Sequence, residues 1–147
     1  MTPDANVLLA AARVDHPHHE VARTWLDQAV ADVASGAAFT LMPMVVASFL
    51  RLVTSPKIFE QPSSSGDAAL FIDGLVDATG VRVATLGPEW PRLRALCVEK
   101  RLSGNDVPDA WLAAATLQCG EHLVSFDRDF KKLMPRSQFT QLVPAAG

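Results

Sequence analysis

Apolar residues along this chain recur in two alternating rhythms. From His18 to Ala34, the positions Val21, Ala22, Trp25, Leu26, Ala29, Val30 and Val33 fall three and four apart, one face of an amphipathic helix that Ser35-Gly36 ends. Pro43 opens a second helix carrying Val45, Val46, Phe49, Leu50, Leu52 and Val53. It stops before Pro56, because the residue ahead of a proline is pushed out of the helical region. Further helices are predicted from Asp67 to about Ala78, from Trp90 to Arg101 and from Pro108 to Cys119, with Gly104 and Gly120 ending the last two. Short strand-like runs lie between them at Phe39 to Leu41, Val81 to Ala84 and His122 to Phe126, with a final candidate at Gln141 to Val143. The opening, Pro3 to Leu9, reads as a brief strand running into a turn or helix start. Only Met1 and Thr2 precede Pro3, which leaves little backbone for sheet pairing.

Short strands alternating with helices predict an α/β sandwich around a mainly parallel sheet of about four to five strands. The chain has 147 residues with no repeat and no long linker, as expected of a single domain. Hydrophobic residues make up 49%, enough for a core and too much for a disordered chain. The longest apolar run, Leu41 to Leu50, is too short for a membrane span and is broken by Pro43. No basic segment precedes an apolar one at the start, so no signal peptide is expected and a cytoplasmic protein is the simplest reading. Cys97 and Cys119 lie in apolar helical contexts and read as buried thiols.

In open α/β sheets, binding sites form at the carboxyl ends of the strands. Asp4 and Asp127 both stand where a short strand runs out, and Asp109 stands in the first turn of a helix, so the three are placed to converge on one edge. Hard carboxylate oxygens gathered there suit Mg²⁺ or Mn²⁺, and without a cation they repel one another. Taken singly, each has a plainer role: Asp109 as a helix cap or dipole partner, Asp127 as a turn residue. The net charge of −3 argues against a nucleic-acid partner, but residues 81–147 hold 9 basic and 7 acidic side chains against 4 and 9 in residues 1–80. If Asp4, Asp109, Asp127 and Asp129 hold cations, the remaining surface is mildly basic and permits an anionic substrate.

Four segments then carry a resemblance. Asp4-Ala5-Asn6-Val7-Leu8, Ser48-Phe49-Leu50-Arg51-Leu52-Val53-Thr54, Gly104-Asn105 with Asp109-Ala110-Trp111-Leu112-Ala113-Ala114, and Ser125-Phe126-Asp127-Arg128-Asp129-Phe130 occur in order across almost the whole chain. Together they resemble the motifs of PIN-domain ribonucleases, specifically the VapC-type toxins of bacterial toxin–antitoxin pairs. The resemblance implies a three-layer α/β/α PIN fold and a Mg²⁺- or Mn²⁺-dependent endoribonuclease acting on structured RNA, either tRNA or rRNA. It also implies a cognate antitoxin and a homodimer. Asp4, Asp109 and Asp127 are its expected catalytic, metal-binding acids, with Asp129 a fourth ligand carboxylate. Asn6, Ser48, Asn105 and Ser125 are expected around them, orienting ligands or water, with Arg51 and Arg128 as substrate contacts.

One departure stands out. Family members commonly carry Glu where this chain has Ser48, and a neutral hydroxyl is a poor ligand beside carboxylates. Either the site holds metal with fewer acids, or Asp106 or Asp129 supplies the missing charge, or the protein is a catalytically weakened PIN-like module that mainly binds RNA or protein. From another class, a receiver-like or phosphohydrolase domain also clusters aspartates around Mg²⁺. It wants paired acids after the first strand, where Asp4 stands alone. His16, His18 and His19 read as a solvated loop, Trp25 and Trp111 as core, and Arg128, Lys131 and Lys132 as a solvated charge run or an RNA guide. The helix from Pro43 is apolar on more than one face, which is expected either to bury it fully or to offer surface to a partner.

Overall fold

The computed structural model describes residues 1–144. All of its strand pairings are parallel. β1 (Thr2–Pro3), β4 (Leu123–Ser125) and β5 (Phe139–Gln141) form one sheet in the order β1-β4-β5, while β2 (Phe39–Leu41) pairs with β3 (Val81–Val83). Short as it is, β1 does pair: Thr2 N–H donates to the His122 carbonyl at 2.8 Å and Asp4 N–H to that of Val124 at 2.9 Å. Alternate residues of a strand address opposite neighbours, so Met1 and Pro3 face β2. The Met1 carbonyl accepts from Thr40 N–H at 3.0 Å, but Pro3 has no N–H to give in return. The two sheets therefore meet edge to edge, in spatial order β3-β2-β1-β4-β5, and Pro3 accounts for the break between them.

Among the described residues, six α-helices surround the strands: α1 (Ala5–Ala12), α2 (His19–Val33), α3 (Pro43–Val53), α4 (Ser65–Val76), α5 (Trp90–Glu99) and α6 (Asp106–Gln118). α1 packs against α2, α3 and β4, α3 against α4, and α5 against α6. Val7, Leu8, Leu9, Ala10 and Ala11 are all buried, so α1 is apolar nearly all round because it is the central helix. Phe39, Leu41, Phe49, Leu123 and Phe130 complete the fully buried centre. The Arg13 guanidinium ties the loop after α1 to the one after α3. It bonds Asp15 at 2.9 and 2.8 Å, Ser63 at 3.0 Å and the Gln61 carbonyl at 2.8 Å, and lies 4.2 Å from the Phe59 ring centre. Gly80, at φ +90°, turns the chain so close to α2 that a Cβ there would stand 2.5 Å from Val33 Cγ1.

Several boundaries move, each for a local reason. α4 starts two residues before Asp67 because the Ser64 hydroxyl accepts from Asp67 N–H at 3.1 Å and caps the helix. α6 starts at Asp106, since Pro108 sits in the first turn, where an N–H has no partner within the helix anyway. β5 lies two residues earlier than Gln141–Val143 because Phe139 is the residue that enters the core, 5.8 Å from the Phe130 ring.

Other expectations need correction. Cys97 is half-buried and Cys119 exposed, at the surface end of α6, and both are free thiols. The histidine loop is half-buried: His18 stacks on Phe126 at 5.2 Å, and His19 Nδ1 meets the Ala10 carbonyl at 2.9 Å. α3 spends most of its apolar surface internally, burying Val45, Phe49 and Val53 and leaving Pro43, Ala47 and Arg51 exposed. Among the described residues, no helix is long and apolar enough to cross a membrane.

Among the described residues, the buried Thr2 hydroxyl has no hydrogen-bond partner. Thr2→Val keeps the shape and removes the stranded dipole. Urea denaturation is expected to show stability unchanged or raised by about 1 kcal/mol. A loss of that size would mean that the hydroxyl has a partner in solution.

Candidate active site

The site is assembled on the joint between β1 and β4. Asp4 follows β1 directly and caps α1, its Oδ1 accepting from Ala5 N–H at 2.7 Å. Its Oδ2 accepts from the hydroxyl of Ser125, the last residue of β4, also at 2.7 Å. Ser125 is fully buried, and its Oγ further accepts from Asn6 Nδ2 at 3.1 Å and from Asp127 N–H at 3.0 Å. One donor and two acceptors exhaust a hydroxyl, so this side chain holds Asp4, Asn6 and Asp127 in a fixed relation. Asn6 Oδ1 in turn accepts from Phe126 N–H at 3.3 Å. Asp127 caps a 3₁₀ helix, Arg128–Lys132, through Oδ1, which accepts from Asp129 N–H at 2.9 Å.

Asp109 enters from the first turn of α6 and is half-buried. Burial, and then the carboxylates of Asp4, Asp127, Asp106 and Asp129, push its carboxyl up from 3.8 to about 6. Burial also raises Asp4, opposed by its bonds from Ser125 and Ala5, with the Asp127 carboxylate adding a smaller upward push. Acids from both ends of the sequence thus share one electrostatic environment. Among the described residues, no three acidic, histidine or cysteine side chains already stand in a closed metal-holding arrangement. Mutual repulsion opposes such closure in the absence of a cation.

Ser48 lies on α3, on the wall of a groove of about 630 Å³ that also contains Asp4 and Asp109. Its remaining wall is largely apolar, with Met44, Leu93, Val107 and Trp111. Arg51 is exposed one turn further along α3 and does not line that groove. Arg128 and Asp129 are exposed at the start of the 3₁₀ helix, and exposed Asn105 precedes α6 without making a capping side-chain bond. A second cavity, of about 490 Å³, brings Asp106, Asp109 and Asp129 together with Lys100 and Lys132.

Two features of this site escape sequence reasoning. Lys100, the C-cap of α5, sits in a plain charged run, Glu99-Lys100-Arg101, with nothing local to mark it. Trp111, expected in the core, is 37% exposed on the groove wall, where its indole N–H donates to Glu89 Oε1 at 3.0 Å. Its place two residues after Asp109, off the buried face of α6, was the available signal.

A family model described as PIN domain matches residues 1–134. This chain belongs to the PIN-domain family. The PIN chain is 43% identical over 132 residues to Ribonuclease VapC31 of Mycobacterium tuberculosis, covering 88% of its own length and 89% of that relative's. It is 42% identical over 130 residues to Ribonuclease VapC25 of the same organism, at the same coverage. Its fold is shared with a chain in the crystal structure of VapBC2 from Rickettsia felis bound to a DNA fragment from their promoter. That match has a TM-score of 0.66 at 13% identity, over 97% of this chain and 98% of the other.

The raised carboxyl of Asp109 gives a pH dependence to the metal-free PIN domain. A carboxyl raised on folding stabilises fully below its unfolded value and loses that contribution as pH climbs through about 6. In EDTA, Asp109→Asn is therefore expected to melt above the wild type at about pH 7, with the two converging towards about pH 4. A constant gap across that range would contradict the clustering of charge.

Proposed function

We propose that this chain is a Mg²⁺- or Mn²⁺-dependent endoribonuclease that acts as the toxin of a toxin–antitoxin pair and cuts tRNA or rRNA. The observation that carries this reading is the linkage of Asp4 and Asp127 through the buried Ser125 hydroxyl, with Asp109 close enough that burial and then their carboxylates push it to about 6. Close likeness to relatives named ribonucleases supports it. The donor chemistry fits a hard divalent cation: all the candidate ligands are carboxylates, and burial with mutual repulsion is relieved by positive charge.

Asp4, Asp109 and Asp127 would hold the ion, with Asp129 at the rim. A bound cation polarises a phosphodiester, lowers the pKa of an attacking water and offsets charge on the leaving oxygen. The protein's own part is positional. Ser125 fixes one Asp4 oxygen and the Asp127 backbone, and Asn6 ties the Phe126 backbone to α1. Arg128 and Arg51 are proposed to meet RNA phosphates, Arg128 beside Asp127 and Arg51 further out along α3. The antitoxin's place is the apolar groove beside the acids, where an amphipathic segment would cover both Met44 and Trp111 and close access to Asp4. A homodimer remains part of the proposal.

Purified protein is expected to cut RNA only with Mg²⁺ or Mn²⁺ present. Asp4→Asn and Asp109→Asn should each lower kcat/KM by about a hundredfold or more. Equal cleavage by all three proteins would remove this reading.

Ser48 on the groove wall favours a second reading, a weakened nuclease that mainly binds. Ser48→Glu adds a carboxylate to that wall and is expected to tighten Mn²⁺ binding roughly tenfold by calorimetry. Unchanged affinity would place the position outside the ion's reach.

A further inference from the structure

The acids stand at the junction of two spaces of opposite character. Asp109 lines both the apolar groove and the smaller, charged cavity beside it. That second cavity is lined by Lys100, at the end of α5, and by Lys132, the last residue of the 3₁₀ helix. Three carboxylates share the cavity, yet among the described residues neither lysine is ion-paired. A polyanion approaching this cluster meets repulsion from Asp106, Asp109 and Asp129, so its backbone needs cations at the approach. Flexible ammonium groups are suited to that task as point-charge phosphate binders.

We propose that Lys100 and Lys132 are phosphate-binding residues of this site, gripping the RNA backbone beside Asp109. This rests on the ribonuclease reading and adds to it the direction from which the strand enters: across the charged cavity, towards the acids. The same 3₁₀ helix supplies an internal control. Lys131 precedes Lys132 in sequence but lines a different cavity, with Arg136 and Phe139. A general electrostatic effect would treat the two lysines alike, whereas a contact in the acid cavity separates them.

The test is binding of a short, fluorescein-labelled single-stranded RNA across a KCl series, read by anisotropy. It uses the Asp109→Asn background, with RNA integrity checked on a gel. Lys100→Gln and Lys132→Gln are each expected to weaken binding roughly three- to tenfold at low salt and to lower the slope of log affinity against log salt by about 0.7. Lys132→Arg should restore the slope, and Lys131→Gln should leave affinity and slope unchanged. In the cleavage assay, with Asp109 intact, Lys132→Gln should raise KM and spare kcat. Parallel slopes for Lys131→Gln and Lys132→Gln, or no change in either, would overturn the proposal. Cleavage with flat slopes would remove the lysine pair and keep the reaction. Altered slopes without any cleavage would remove the reaction and keep the pair.

Discussion

Everything at this site depends on two strands about 120 residues apart in sequence lying side by side in parallel register. Thr2 against Leu123 and Pro3 against Val124 bring both carboxyl ends to one edge. Asp4 then lies within one hydrogen bond of Ser125, and Asp127 within one more. The buried hydroxyl is the smallest group that can donate to one acid while accepting from the backbone of the other. Strand pairing alone would set the distance between the two ends; the serine sets their orientation.

Such an arrangement is electrostatically costly. Burial raises the Asp109 carboxyl, and four neighbouring carboxylates raise it further. Folding tolerates this because the acids stand at element ends, where helix N-termini and backbone N–H groups offset part of the charge: Ala5 N–H for Asp4 and Asp129 N–H for Asp127. What remains uncompensated is mutual repulsion, which the cation of the proposed site would relieve. Ser48 fits the same balance, since a neutral group on the groove wall adds no further repulsion to a crowded site.

Much of this was legible in the sequence, because the signals were local. Helical periodicity gave α2 and α3 to within a residue or two, Phe39–Leu41 was matched at both ends, and the acids could be picked out because each stands at an element boundary. Asn6 and Ser125 were expected beside them, and the structure brings both into contact with Asp4 or its neighbours. What stayed hidden was set by packing between distant elements. The break in the sheet follows from the direction in which Pro3 faces. Trp111 was read as core because its helix is apolar, while Glu89, 22 residues earlier, holds it at the surface of the groove. Lys100 lines one cavity with Asp106, Asp109 and Asp129 because α5 packs on α6.

The most direct test is a crystal structure of the protein soaked in Mn²⁺, with anomalous scattering used to locate the ion. The proposed site predicts an anomalous peak within direct coordination distance of carboxylate oxygens from Asp4, Asp109 and Asp127 together. A peak held elsewhere, or no peak at saturating Mn²⁺ with those three side chains well ordered, would contradict it.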